Sequence, residues 1–215
     1  VESVNSHQSK SDSICTWHSA SSELTCKEPI YDIKNQFCLL HSVDPNKDQE
    51  AIKRYIESKH RRSDFNFAGG FFPGEVDFSN ITLNNANFRE AIFMKNANFS
   101  NSEFTVEACF FGAQFRENVK FQSAIFIDKA IFSEVIFGIT AYFSDVYFKS
   151  WAGFIGSKFI GVANFNNAIF NAEAIFDSAE FNNEADFTET EITRLANFLF
   201  AKFHDKVIFH KTKFL

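Results

Sequence analysis

Phenylalanine recurs along this chain at alternating intervals of five and six residues, a rhythm that few folds accommodate. From Phe88 it falls at 93, 99, 104, 110, 115, 121, 126, 132, 137, 143, 148, 154, 159, 165, 170, 176, 181 and 187. It resumes at 198, 203, 209 and 214, with Ile192 filling the gap. Backward, Leu83, Phe78, Phe72 and Phe67 extend the series, with one step of five where six is due, between Leu83 and Phe88. The result is 28 units, 26 of them centred on Phe. A helix has a period of 3.6, and neither five nor six keeps residues on one helical face, so a helical reading fails. Two residues before each centre, from Val76 to Thr212, stand 26 residues, of which 25 are Ala, Val, Ser or Thr and one is Ile81. On an extended segment, positions two apart point the same way, so the small residue and the Phe both face inward.

Composition agrees with one repeated unit: 31 Phe stand against a single Met. Three Pro and eight Gly argue against a disordered or collagen-like chain. No apolar run is long enough for a transmembrane helix. The opening VESVNSHQSKSDS lacks the basic flank and apolar stretch of a signal peptide, and the chain begins with Val1, which allows it to be a fragment. Residues 1–63 hold nine acidic and nine basic side chains, and residues 64–215 hold eighteen and twelve. The excess negative charge therefore lies in the repeats and disfavours direct binding of nucleic acid.

Motifs such as Ala97-Asn98-Phe99-Ser100-Asn101, Ala163-Asn164-Phe165-Asn166-Asn167 and Ala185-Asp186-Phe187-Thr188-Glu189 resemble the pentapeptide-repeat family over residues 64–215. That family's unit is a small residue, a polar residue, a central Leu or Phe, and two polar residues. The resemblance implies an all-β fold, a right-handed, four-sided parallel β-helix with four units per coil and about seven coils. At ~4.8 Å per rung the solenoid is on the order of 34 Å long.

Three of the four Cys lie before residue 40. Cys15, Cys26, Cys38 and His41, spaced Cys-x10-Cys-x11-Cys-x2-His, supply three thiols and an imidazole, a donor set suited to tetrahedral Zn²⁺. The spacing is not a common finger spacing, and residue chemistry alone leaves structural zinc beside unrelated thiols with one disulfide. The stretch Phe37–Asp48 (FCLLHSVDPNKD) is similar to a Cys-rich leader in a subset of bacterial pentapeptide-repeat proteins. Asp64–Phe78 is similar to the segment that begins their solenoid. The resemblance favours structural zinc; His18 departs from the family pattern and either replaces Cys15 or sits on the surface. Four protein ligands make a closed, structural site.

Residues 44–63 read as a helix with Ile52, Tyr55, Ile56 and Lys59 on one side, covering the first coil's strand edges. The division is therefore 1–43, an N-terminal Cys/His module; 44–63, a capping helix; and 64–215, the β-helix. The run Lys59-His60-Arg61-Arg62 reads as a solvated helix end.

Catalytic chemistry is not evident. The repeats offer only His204 and His210 as bases, and no phosphate loop or dinucleotide fingerprint occurs. Cys109 reads as a surface thiol. Arranging outward residues in columns of one coil's spacing gives an apolar stripe on two adjoining sides. One column holds Cys109, Phe111, Ile131, Ile155, Ile175, Leu199 and Phe200; the column before it holds Ile125, Ile127, Tyr147 and Ile169, with Trp151 at the corner between. Such a stripe marks a surface for a protein partner or for self-association. The expected function is thus a non-enzymatic, cytoplasmic, bacterial scaffold for protein–protein interaction, with a homodimer through the C-terminal coil as one form. Two alternatives come from the resemblance and from the chain's end. One is a DNA-mimicking binder of type II topoisomerases such as gyrase, which needs a continuously acidic side. The other is the soluble domain of a longer membrane-anchored or sensory protein.

Overall fold

In the repeat, each position of the five-residue unit has its own structural task. In Ala97–Asn101, Ala97 and Phe99 are buried, and Asn98 turns its Oδ1 back to accept the Ser100 N–H at 3.1 Å. Asn101 takes φ 57°, the third position of a type II turn, where Asn is tolerated. The same turn recurs at Glu90, Gly112, Glu134, Asp145 and Asn167, closing the five-residue steps. There the carbonyl of the central Phe accepts the N–H three residues on, as in Ala91 N to Phe88 O at 3.1 Å. The six-residue steps carry an extra residue around the opposite corners. At the one shortened step, Asn85 adopts φ 54° and absorbs the missing residue.

The computed structural model describes residues 13–215; residues 1–12, assigned above to the N-terminal module, lie outside them. The described residues form one helix and 26 short strands in four parallel sheets, three of seven strands and one of five. Isolated bridges, Asn66 to Asn87 and Asn87 to Cys109, carry the five-stranded sheet to the first coil, so all four sides reach about seven rungs. Register follows the repeat: Ile136 pairs with Lys158 and Ala130 with Ala152, each 22 residues on. Across the shortened step the offset is 21, as in Phe72 with Phe93.

That register stacks like on like. Phe104 lies over Phe126 with centroids 4.4 Å apart and planes 3° apart, and Phe143 over Phe165 at 4.9 Å and 4°. Opposing ladders meet edge to face in the middle, as Phe143 meets Phe154 at 5.4 Å and 89°. Interior rings from Phe67 to Phe187 are at most 1% exposed, so a ring deleted there leaves a void that no neighbour can fill. Where the small inward residue is polar its hydroxyl finds a carbonyl: Ser157 Oγ donates to Phe154 O and Thr190 Oγ1 to Phe165 O.

The helix spans Gln49–Arg61 and begins later than residue 44, because Asp48 caps it by accepting from the Glu50 and Ala51 amides. Ile52 and Lys59 are buried, and Tyr55 and Ile56 pack on the core. The Lys59 ammonium lies 5.4 Å from the Phe67 ring centroid, which places the helix over the first rung. His60, Arg61 and Arg62 are exposed at the helix end.

Candidate functional site

Backbone pairing before residue 42 gathers the N-terminal thiols. Cys15 and Cys26 face each other across two antiparallel arms, tied by Cys15 N to Glu28 O at 3.0 Å and Cys26 N to Trp17 O at 3.1 Å. Cys38 and His41 sit on one tight turn closed by Ser42 N to Cys38 O at 2.9 Å. The four ligand atoms lie within 4.8 Å of one another. Cys15, Cys38 and His41 are 3–5% exposed, and Cys26 is half-buried. His18 stands outside this cluster, exposed, with Nδ1 3.4 Å from its neighbour's carbonyl.

The distances fit a tetrahedral ion. Bonds of 2.3 Å to sulfur at tetrahedral angles put two sulfurs about 3.8 Å apart, and Cys26 Sγ and Cys38 Sγ are 3.8 Å apart. A disulfide is about 2.05 Å long. His41 Nδ1 is 3.4 Å from Cys15 Sγ and 3.2 Å from Cys38 Sγ. The other ring nitrogen is spoken for: Nε2 lies 2.8 Å from Ala68 O, so it carries the proton and leaves the Nδ1 lone pair toward the thiols. Trp17 stacks on the imidazole at 4.3 Å and 5° and fixes its plane. Without an ion the cluster shares protons unequally. The Cys38 thiol donates to Cys26 and pulls it down to about 4, while that bond and burial push Cys38 up. Burial also raises Cys15.

Sequence reasoning missed the groups that join this module to the solenoid. Glu90, at a corner of the second coil, accepts from Ser19 Oγ at 2.8 Å, from the Ala20 and Ser21 amides at 3.0 Å, and from Ser21 Oγ. Partial burial pushes its carboxyl up, but these donors outweigh it and hold it below the usual range. Gly69, at φ 66°, lies directly under Trp17, where any Cβ would fall 2.1 Å from the indole. Lys47 is 2% exposed and donates to Leu39 O, Leu40 O and Ser42 O at 2.8–3.1 Å. Burial lowers it to about 8, and three carbonyls that only an ammonium satisfies together keep it charged at neutral pH. Its charge would balance the net charge of about −1 that three thiolates holding a divalent ion would carry. In sequence, Glu90 and Lys47 look like ordinary polar residues of a corner and a turn; no local signal separates them.

The outward columns stand as the register arranges them. On one side Ile125, Tyr147 and Ile169 are consecutive rungs between Glu103 and Glu191. On the next, Ile131 and Ile175 flank Gly153, and Trp151 lies across that gap, its ring 1.9 Å from where a Gly153 Cβ would be. Ile155, Ile169 and Leu199 are exposed, whereas Phe111, Ile125, Ile127, Ile131, Tyr147, Trp151 and Ile175 are half-buried. Cys109 corrects the expectation of a surface thiol: it is only 9% exposed. The Arg89 guanidinium, 4.4 Å over the Phe111 ring, shields it, and burial raises the thiol. At the last coil Phe200 (φ 57°), Phe209, Phe214 and Leu215 are exposed. Acidic residues pair with bases one coil away, as Lys95 with Glu117, Lys158 with Glu180 and Lys211 with Glu189, so no column among the described residues is continuously acidic. No helix among the described residues is long and apolar enough to cross a membrane.

No curated protein matches the chain. Residues 110–158 match the family model described as pentapeptide repeats (9 copies). Residues 110–158 are thus pentapeptide repeats, and the same register runs through both flanks of that span, from Phe67 to Phe214.

Proposed function

We propose that this protein is a non-enzymatic binding scaffold in three parts: a zinc-held module (1–43), a capping helix (44–63) and a solenoid (64–215) that engages a protein partner or a second copy. The observation that carries it is the apolar band on two adjoining sides, centred on Trp151 and running in register for about four rungs, on a solenoid that elsewhere carries cross-coil ion pairs such as Lys158 with Glu180. Zinc is the ion that the sulfur–sulfur distance and the Nδ1-directed imidazole support, and its role is structural because all four positions are filled by protein. Thiols used as ligands and not as disulfides fit a reducing, cytoplasmic compartment.

The band is tested by Ile155→Lys with Ile169→Lys, against Asn166→Lys on a polar corner, and by a photocrosslinker at position 147. The expected result is a crosslinked partner, or a concentration-dependent mass in light scattering, lost in the band variant and kept in the control. Self-association through the exposed last coil would show the mass change in both variants. A chain that stays monomeric at high concentration and gives no crosslink specific to position 147 overturns the scaffold reading.

A further inference from the structure

Of the three thiol ligands, Cys15 and Cys38 are sealed at 5% and 3% exposure, whereas Cys26 is half-buried and faces an open cavity of about 330 Å³. The cavity is lined by Trp17, Cys26, Glu28, Tyr55, Lys59 and Asp64. Tyr55 carries the one buried side-chain polar atom among the described residues that has no hydrogen-bond partner, its hydroxyl. A buried donor without an acceptor, on a residue in the wall of a cavity that Cys26 also lines, marks a place where a small polar molecule can be held. A second sulfur, Cys38 Sγ, lies 3.8 Å away, so a modest local shift brings the two to bonding distance.

We propose that Cys26 is an oxidation site for a small hydroperoxide, hydrogen peroxide being the simplest, and that its reaction with Cys38 ejects the metal and unlatches the module from the first two coils. This rests on the zinc reading above. The Cys26 thiolate attacks one peroxide oxygen: an S–O bond forms, the O–O bond breaks, and hydroxide leaves and takes a proton from solvent to become water. Cys26 is thereby oxidised by two electrons to the sulfenic acid and the peroxide is reduced. The Cys38 thiolate then attacks the Cys26 sulfur; the S–S bond forms, the S–O bond breaks, and the second hydroxide leaves as water after protonation. The ion, reduced to Cys15 and His41, dissociates. Tyr55 serves as a positioning residue whose hydroxyl donates to the bound peroxide.

Release has a structural consequence because the cluster's own residues hold the first coil. His41 Nε2 bonds Ala68 O, Trp17 covers Gly69, and Leu40 O accepts the Phe71 amide at 2.9 Å. Oxidation would therefore uncover the edge of the first rung, with Phe67 and Phe71 beneath it.

The experiment adds hydrogen peroxide to the full, zinc-loaded chain and follows three readouts: zinc release with a chromophoric chelator, free thiols by mass, and the first sulfenic acid by trapping with a cyclic 1,3-dione. Expected are one zinc and two thiols lost in step, a Cys26–Cys38 disulfide in the peptide map, and the trapped adduct on Cys26. Tyr55→Phe, which keeps all four ligands, should slow release by about fivefold, the worth of one hydrogen bond. Cys109→Ser should leave the rate unchanged. An adduct that forms first on Cys15 or Cys38, a Cys15-containing disulfide, or zinc retained under excess peroxide overturns the proposal. A chain that never holds zinc overturns the zinc reading instead, and trapping on that chain still decides whether Cys26 is the residue attacked.

Discussion

A single carboxylate shows how much of this molecule depends on side chains whose type is unremarkable. Glu90 sits at a corner position that Gly fills at 112 and Asn at 101, yet it receives four donors from Ser19–Ser21. Glu90→Gln should leave the solenoid folded and loosen the module by about 1–2 kcal/mol, once screening of this partly exposed site is allowed for. The check is the Trp17 emission and amide exchange of residues 13–42. Because its carboxyl is held below the ordinary 4.5, its contribution is complete above that pH and is lost as pH falls through the lowered value. The difference between wild type and variant should vanish on acidification and stay constant toward alkaline pH. Gly153 gives a second residue-scale expectation: Gly153→Ala puts a methyl where the Trp151 ring lies, so that ring must swing outward. A red-shifted Trp151 emission with unchanged secondary structure is the expected result. Neither Glu90 nor Gly153 was legible from sequence, because what each touches lies about 70 residues away or in a side chain's choice of rotamer.

At the scale of elements the opposite holds, and the reason is periodicity. An inward Phe every five or six residues states the strand, its face and its register at once, since a repeat that stacks on itself has only one self-consistent offset. The shortened step between Leu83 and Phe88 appears in the structure as a 21-residue offset through the first coil. The clustering of Cys15, Cys26, Cys38 and His41 was legible for a related reason: few roles collect three thiols and an imidazole within one short segment. Lys47 and Tyr55 were not, because a buried ammonium and an orphaned phenol are defined by what surrounds them. Uniform stacking also makes a graded expectation. Phe143→Ala, in a central coil at 0% exposure, should cost about 3–5 kcal/mol. Phe209→Ala, already 41% exposed in the last coil, should cost less than about 2 kcal/mol by the burial it lacks. Denaturant midpoints of the two variants test the ordering, and equal losses would mean the coils do not unfold from their ends.

For the whole molecule, the solenoid's order and the module's order rest on different physics. Phe ladders hold the coils, and each coil touches only its neighbours, so stability is close to a sum of rung and interface contributions. The module lacks such a core. Its buried residues before the helix include Cys15, Cys38, Leu40, His41 and Lys47, and their arrangement converges on the Cys15–Cys26–Cys38–His41 cluster. Binding of structural zinc is worth roughly 10–16 kcal/mol in small zinc domains, and in those it is largely folding free energy. Removing the ion with a strong chelator at neutral pH should therefore collapse amide protection over residues 13–42. The effect should pass into the first coil, where Ala68 O, Gly69 and Phe71 N meet the module. Nearest-neighbour coupling then limits its spread: the second coil, held through Glu90, should lose part of its protection, and coils beyond Phe121 should keep theirs. Hydrogen exchange resolved along the chain measures that gradient directly. Loss of protection in every coil would show that the first rung nucleates the solenoid and that the metal governs the whole fold; a gradient ending within two coils would leave the apolar band around Trp151 intact in the metal-free chain, so that binding by the band and latching by the cluster can be switched separately.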